Sequence, residues 1–302
     1  MIEHLRHNEI DKARWDRLLL QCPDRLWYVQ SWVLDICCPE WEALIGDDGS
    51  IMPLIWCSKF GIDYLYQPYA MQQQGVFSPE RDEHTDTAFL DAIPERFVYW
   101  DIHLNSLMHV RAAPTDRLSP NVNQDLSLAA DATVLRSAYS QGHRRNLRKS
   151  GDDPPVIALD VTVREFIDLF TRTTGKRFRN IPKYGVELLE RLVLTGIERK
   201  QCRLLGVREQ GRVIAAVCFM EWEGRSILLK SANDEAGMER QAMFHLIDRY
   251  ISEHAGSGIL LDFAGSNTPS VARFNAGFGA RSSVYLHLVR NRLPAPLRWF
   301  KR

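Results

Sequence analysis

Three side chains capable of acid–base chemistry interrupt apolar runs of the sequence: Lys230 in ILLKSAN, Asp262 in ILLDFAG and Tyr285 in SSVYLHL. A charged group inside an apolar strand must be paired, reach solvent or face a ligand, because burial alone is costly. We therefore regard all three side chains as candidate site residues. A structural role for Asp262 is the alternative.

The segment Ser231–Ala242, SANDEAGMERQA, is a second candidate, because a polar loop here leads from an apolar strand into a helix. Unpaired N–H groups at a helix N-terminus attract anions, so we expect Asn233 and Gly237 to bind a phosphate or carboxylate. The competing interpretation is an ordinary capped loop between a strand and a helix.

A similar junction follows the ILLDFAG run, where Ser266 and Asn267 precede a helix that begins at Pro269. Small polar side chains and main-chain N–H groups converge at such a junction, and Arg273 on the helix would neutralise an acidic ligand. We therefore predict that Ser266, Asn267 and Arg273 bind substrate. Glycines on both sides of Phe278 predict a turn that docks this ring.

A basic segment, YSQGHRRNLRKS at 139–150, is the third candidate. Residues four apart share a helix face, so Arg145 and Lys149 would lie side by side. We predict that Arg145, Arg148 and Lys149 hold the phosphates of a nucleotide-linked substrate or of a tRNA. A solvated basic helix end, which the helix dipole favours, is the alternative.

The elements that must position these residues occur twice along the chain. Turn glycines fall at positions 49, 61 and 75 in the first half and at 211, 224 and 237 in the second. Each copy then runs through a segment of helix length into a strand with an aspartate, Asp101 or Asp262. Gln73 lies in the first-half loop that corresponds to the charged junction, and we predict that it contacts substrate. Such a duplication predicts a ligand cleft between the two halves, unless the agreement is accidental.

Apolar periodicity predicts the individual elements of both halves. It favours strands at 51–59 and 108–112 and single helices at 131–149 and 239–254. Helices followed by an antiparallel meander and a β-α-β-α-β segment indicate an α/β (α+β) fold with mixed sheets flanked by helices. The polar, turn-rich stretch 114–120 suggests a boundary, giving domains at 1–118 and 119–302.

The composition is that of an ordinary globular protein. Lys and Arg number 38, as do Asp and Glu, so the formal net charge is zero and a general polyanion or DNA binder is not expected. The six cysteines form no CxxC pair, which indicates reduced thiols and a cytoplasmic protein. We expect no metal site, no signal peptide and no membrane insertion.

Three segments together resemble the GNAT superfamily of N-acyltransferases. They are the basic helix, the antiparallel meander that ends in SANDEAG, and the run LLDFAGSNTPSVARFNAGFGA. The order of elements over nearly the whole chain is similar to the tandem-GNAT branch that includes the Fem-type peptidoglycan bridge aminoacyl-transferases. An R-x-x-R-K-like helix of that family matches Arg145, Arg148 and Lys149. Its DF-GS…F…FG run matches seven residues here: Asp262, Phe263, Gly265, Ser266, Phe274, Phe278 and Gly279.

The resemblance implies two GNAT units in tandem, with acyl or aminoacyl transfer to an amine in the second and a non-catalytic first unit. It implies a donor beside the fourth strand of the second unit. Such a transfer needs a neutral amine, a polarised carbonyl and a proton route to the leaving group. On this resemblance, the main-chain N–H groups near Ala232 and Asn233 would stabilise the oxyanion, and Lys230 would add charge stabilisation or position a substrate carboxylate. Asp262 would accept the amine proton, and Tyr285 would protonate the leaving group. Acetyl-CoA users carry a Q/R-x-x-G-x-G/A loop after that strand, whereas only Gly237 is kept here. An acyl-CoA or an aminoacyl-tRNA is therefore admissible as a donor substrate, with no tightly bound cofactor. The implied acceptor is a small molecule or a cell-wall precursor.

Two other functions remain open on the sequence. One is a plain acetyl-CoA-dependent N-acetyltransferase. The other is a catalytically inactive GNAT-fold protein that uses its cleft only to bind a ligand, which the uncharged Gln72–Gly75 loop of the first half favours.

Overall fold

The two halves of the chain build the same strand pattern twice. The computed structural model describes residues 1–114, 116–151, 153–173, 184–264 and 267–294. Contacts divide it into two compact units. Unit 1 comprises Met1–Asn121 and the described residues from Val284 onward, and unit 2 comprises Val122–Ser283. The predicted domains at 1–118 and 119–302 describe the two repeats and stay a prediction.

The described part of unit 1 contains three α-helices and two groups of strands. Its helices are α1 (Lys12–Gln21), α2 (Ser31–Cys37) and α3 (Glu83–Asp91). A three-stranded sheet consists of β1 (Ile2–Leu5), β2 (Glu42–Gly46) and β3 (Ile51–Leu54). Four further strands follow in the order β4 (Trp56–Lys59), β5 (Ile62–Tyr66), β6 (Phe97–His103) and β13 (Arg281–Asn291).

Unit 2 places seven described helices around a six-stranded mixed sheet. The sheet order is β7 (Asp116–Ser127), β12 (Leu260–Asp262), β11 (Arg225–Asn233), β10 (Arg212–Trp222), β9 (Cys202–Glu209) and β8 (Ile157–Ala158). The helices are α4 (Ala132–Ser137), α5 (Gln141–Arg148), α6 (Val163–Arg172), α7 (Gly185–Glu198), α8 (Glu235–Glu239), α9 (Ala242–Glu253) and α10 (Pro269–Ala276). Strands β7 and β13 each carry residues of both units.

The same pairing sequence recurs in both units. β4 pairs antiparallel with β5, and β5 pairs parallel with β6. In unit 2, β10 pairs antiparallel with β11, and β11 pairs parallel with β12. The turn between the antiparallel strands repeats as well, because Phe60 and Glu223 each adopt positive φ directly before a glycine with positive φ, as Gln210 does one turn earlier in unit 2. Two such residues in succession form the hairpin turn that matches strand twist. The predicted duplication and α/β fold are therefore confirmed.

Each unit has its own apolar core. In unit 1 the largest cluster packs β-strand residues such as Trp100 and Leu288 against Phe89 of α3. In unit 2 the core packs one face of the sheet, including Val217 and Phe219 of β10, against Tyr250 of α9. Residues that alternate with these point to the opposite face of the sheet, where α6 and α7 lie.

Several predicted elements are wrong in detail. The strand at 51–59 is interrupted at Ile55, so its first part joins a separate sheet. Residues 108–112 form no strand, and strand β7 begins inside the stretch predicted as a turn-rich boundary. The helix predicted at 131–149 is two helices, because Ser140 caps a new one by accepting from the N–H of His143. The helix predicted at 239–254 corresponds to α9, which begins only at Ala242, and the short helix α8 before Gln241, whose φ is 55°, was not predicted.

Candidate active site

Strand β11 has an open edge over its second half. It pairs with β10 as far as Asn233, but with β12 only from Arg225 to Ile227. β12 ends at Asp262, and no other described strand takes its place. Residues 228–233 therefore have a strand neighbour on one side only, among the residues that the structure describes.

The direction of the main-chain groups on this edge follows from one hydrogen bond. The N–H of Asp234 donates to the carbonyl of Ile214 on β10, at 3.0 Å. Because N–H groups alternate between the two sides of an antiparallel strand, the N–H of Asn233 points away from β10 and that of Ala232 points toward it. Of the two N–H groups predicted to stabilise an oxyanion, only that of Asn233 faces the open edge.

The junction after β11 does not offer a vacant helix N-terminus. Asp234 caps α8, where its carboxylate accepts from the N–H of Gly237 at 3.1 Å. Arg172 and Arg212 hold the same carboxylate at 2.9 and 3.3 Å. The chain's own carboxylate thus occupies the position where the sequence predicted a bound anion. The competing interpretation, a capped loop, describes this junction.

A pocket of about 620 Å³ nevertheless adjoins the end of β11. Its described lining comes from the end of α6, the start of β10 and the β11–α8 junction: Arg172, Thr173, Arg212, Asn233, Asp234, Glu235, Ala236, Met238 and Glu239. Two arginines against three carboxylates leave one net negative charge on this lining. Such a surface disfavours a phosphate group in the pocket.

Gly237 permits the close approach of α8 to β10. A Cβ at this position would lie 2.2 Å from Oδ1 of Asn233 and 2.6 Å from the carbonyl oxygen of Ile214. Oδ1 of Asn233 is itself buried and has no hydrogen-bond partner among the described residues. Gly237 therefore shapes the pocket wall, and the structure shows no ligand-binding role for it.

Lys230 lies on the face of the sheet opposite to the unit 2 core. It pairs across the strands with Cys218, next to the position where a bulge shifts the register. Burial lowers the pKa of the Lys230 ammonium to about 8, although the neighbouring Cys218 thiol opposes this shift. An amine with such a pKa is divided between its charged and neutral forms near physiological pH. This property fits a residue that acts on a reacting carbonyl.

Asp262 is fully buried and held by the protein. Its carboxylate accepts from Arg225 at 2.8 Å, from the N–H of Ala264 at 2.8 Å and from Asn123 at 3.1 Å. All three donors belong to the protein itself, so the acceptor positions of this carboxylate are already in use. The geometry thus favours the structural alternative for Asp262.

Asp125 is a titratable residue that the sequence analysis missed. It lies directly opposite Asp262 on β7 and accepts from Asn123 and from Ser283, at 3.0 and 3.1 Å. Burial and the charge of Asp262 raise the pKa of Asp125 to about 6, while Arg225 opposes the rise. Only the strand register reveals this pair, because the two aspartates are 137 positions apart in the sequence.

Two of the predicted residues lie in unit 1. Tyr285 on β13 is buried, and its ring contacts that of His103 at a centroid distance of 5.7 Å. Gln73 is also buried, and its carbonyl accepts from the N–H of Ser106 at 2.9 Å. This hydrogen bond connects the loop of Gln73 to the segment that follows β6. The structure thus places Tyr285 in unit 1 and Lys230 and Asp262 in unit 2.

The predicted basic residues are exposed on α5. Arg145, Arg148 and Lys149 reach solvent, and none forms an ion pair with a described residue. Arg273 is likewise exposed near the end of α10, where it also lacks a described ion-pair partner. All four are therefore free to contact an external anion.

The remaining residues of the second junction have different environments. Asn267 is exposed, and its side-chain carbonyl accepts from the N–H of Val122 at 3.1 Å. The predicted residue Ser266 lies outside the described part of the chain. Phe278 is fully buried, as the flanking glycines predict. A Cβ at Gly277 would lie 1.9 Å from the ring of His143, so this glycine lets α5 pack closely.

Two further findings concern metals and membranes. The described residues contain no group of three or more His, Cys, Asp and Glu side chains arranged to hold a metal ion. Within the same residues, no helix has both the length and the apolar character needed to cross a bilayer.

The comparisons with known proteins agree with this geometry. Residues 137–269, which include β11 and its junction, match the family model of the acetyltransferase (GNAT) domain. The crystal structure of FemX superposes with a TM-score of 0.71 and 13% identity over 99% of each chain. The chain has a Fem-like tandem GNAT fold.

Other solved structures show the same fold. A tandem GNAT protein from the clavulanic acid biosynthesis pathway matches with a TM-score of 0.56 and 12% identity, over 98% of this chain and all of that one. A GNAT-family acetyltransferase from Colwellia psychrerythraea matches with a TM-score of 0.55 and 12% identity, over 96% and 99%. No curated protein sequence matches the chain significantly.

Proposed function

We propose that this tandem GNAT protein is an N-acyltransferase, which moves an acyl or aminoacyl group from a donor bound along the open edge of β11 to an amine. The observation that carries the proposal is the edge itself, formed where β11 continues beyond its last partner on β12 at Ile227. An extended donor chain adds to such an edge through main-chain hydrogen bonds. The edge lies within the segment that matches a GNAT acetyltransferase domain.

The residues near the edge have roles in this reaction. The N–H of Asn233 stabilises the oxyanion that develops on the donor carbonyl, and Lys230 adds positive charge on its face of the sheet. Asp262 holds Arg225 and the end of β12, rather than taking the amine proton. Tyr285 stays a candidate for protonating the leaving group.

An aminoacyl ester is the donor that the charges favour. The described lining of the pocket is net negative, and Asp234 already occupies the N-terminus of α8. Both features disfavour the pyrophosphate of a coenzyme A thioester at this junction. Exposed Arg145, Arg148 and Lys149 provide instead a surface for the phosphates of a tRNA. The acceptor is a small molecule or a cell-wall precursor that carries an amine.

A plain acetyl-CoA-dependent N-acetyltransferase is the second candidate. The matched family model describes an acetyltransferase domain, which favours this reading for residues 137–269. The two candidates differ in the donor, so a donor panel separates them.

Thermal unfolding with alanyl-tRNA, uncharged tRNA, acetyl-CoA and coenzyme A tests the proposal. A ligand that binds only the folded state stabilises it by RT ln(1 + [L]/Kd), so the melting temperature rises with the affinity and concentration of the ligand. We expect alanyl-tRNA to raise it more than uncharged tRNA, and acetyl-CoA to leave it unchanged. A shift with acetyl-CoA alone would establish the second candidate. No shift with any donor, together with no transfer to a primary amine, would leave a ligand-binding protein without transferase activity.

A further inference from the structure

A row of titratable side chains lies on one face of the β6–β13 pair in unit 1. The antiparallel register places His287 opposite His103. Their rings are 4.8 Å apart between centroids, nearly perpendicular at 82°. Asp101 lies two residues before His103 on the same face, and Tyr285 packs against His103. We call His103 and His287 the imidazole pair.

Hydrogen bonds determine which nitrogen of each imidazole carries the proton. Nε2 of His287 lies 2.8 Å from Oδ1 of Asp101, and Nδ1 of His103 lies 3.1 Å from the carbonyl oxygen of Gln72. An ionised carboxylate and a carbonyl only accept, so these two nitrogens donate. In the neutral rings, Nδ1 of His287 and Nε2 of His103 therefore keep lone pairs. No described residue hydrogen-bonds to either of these atoms.

The neighbourhood supports this protonation pattern. Burial lowers the pKa of His103, and the nearby His287 lowers it further, so His103 stays neutral and remains an acceptor. Asp101 is held in place because the hydroxyl of Tyr99 donates to its Oδ2 at 3.3 Å. Tyr66 on β5 lies beside Asp101 in the parallel register.

A ligand can reach this site. The side chain of His287 is 24% exposed and that of Asp101 is 43% exposed. Two imidazole lone pairs and a nearby carboxylate attract a group that donates hydrogen bonds and carries positive charge. They repel an anion for the same reason. A primary ammonium group has both properties.

We propose that the imidazole pair binds a primary ammonium group. The ammonium group donates to Nδ1 of His287 and Nε2 of His103. Asp101 is a positioning residue, because it accepts from Nε2 of His287 and so leaves Nδ1 as the acceptor.

Nitrogen-15 NMR of the imidazole rings tests the inference at neutral pH, with ethylammonium as the probe. We expect ethylammonium to move the signals of His287 Nδ1 and His103 Nε2 together. Tetramethylammonium has the same charge but no N–H donor, and we expect it to move neither. In His287→Gln the ethylammonium-induced shift of His103 falls at least tenfold, whereas His84→Gln, an exposed histidine on α3, leaves both shifts intact.

The proposal would be overturned if ethylammonium left both nitrogen signals unmoved, or if tetramethylammonium shifted them equally. The imidazole pair would then not be an amine site. Unfolding with the donor panel is measured on the same samples. A donor shift without an ammonium response counts against the amine site alone. An ammonium response without any donor shift counts against the acyltransferase, and the amine site would stand as a binding site.

Discussion

At the scale of single residues, buried charge is informative about chemistry only when its partners are known. Lys230, Asp262 and Tyr285 stand out equally in the sequence, because each interrupts an apolar run. The structure separates them: Asp262 is held by three donors, whereas Lys230 has a pKa lowered to about 8. The strand register that creates the Asp125–Asp262 pair is a tertiary property, and a single sequence does not show it.

Replacement of Asp125 by Asn should stabilise the protein above about pH 6 and not at pH 4. The folded-state pKa of Asp125 is raised to about 6, so its contribution to stability is full below the unfolded value of 3.8 and is lost as the pH rises through about 6. Asn removes the charge that opposes Asp262; its Oδ1 still accepts from Asn123, and its Nδ2 donates to the Ser283 hydroxyl, which also accepts. Melting temperatures of wild type and Asp125→Asn at pH 4 and pH 8 measure the effect. A gain at pH 4 equal to that at pH 8 would contradict it.

At the scale of elements, glycine spacing predicted the repeat because tight turns depend on local conformation. Positive φ at the three hairpin turns follows from the chain itself, so the sequence carries that signal. The ends of the helices could not be predicted as directly from the sequence. Gln241 adopts positive φ without being glycine, and Ser140 caps a second helix inside a segment that was predicted as one. The N–H of Ser140 also donates to the carbonyl of Gly277, a contact that a single sequence does not show.

Replacement of Gly237 by Ala should destabilise unit 2 by about 1–3 kcal/mol, the usual cost of overpacking. The added Cβ would lie 2.6 Å from the carbonyl oxygen of Ile214, which belongs to a paired strand and cannot move cheaply. Gly142→Ala on α5 is the control, since its Cβ would meet only Ser140 Oγ at 3.8 Å. We expect the control to gain about 0.5–1 kcal/mol from helix propensity. Chemical denaturation of both variants measures the two changes, and equal losses would refute the packing argument.

At the scale of the whole molecule, the sequence predicted the tandem fold, but the donor and the acceptor depend on side chains brought together by folding. The order of strands and helices in each repeat was sufficient for the fold, and FemX shares it at 13% identity. The pocket beside β11 combines residues from α6, β10 and α8. The imidazole pair joins residues 184 positions apart. Neither grouping is visible without the strand pairing.

Replacement of Arg145, Arg148 and Lys149 by Ala together should weaken tRNA binding and reduce its salt dependence. Each lost phosphate contact removes counterion release, so the slope of log K against log salt becomes less steep by about one per contact. Binding of acetyl-CoA, if any occurs, should not change. Filter binding or fluorescence anisotropy over a range of salt concentrations measures the slope. An unchanged slope in the triple variant would show that α5 does not bind the tRNA.

The central claim is that the donor occupies the open edge of β11. Amide hydrogen exchange resolved at single residues tests it most directly, with and without the donor that raises the melting temperature. We predict that this donor slows exchange at the N–H of Asn233, which points away from β10, and leaves Ala232 unchanged, because its N–H already faces the partner strand. Slower exchange elsewhere in the chain with no change at Asn233 would contradict the account.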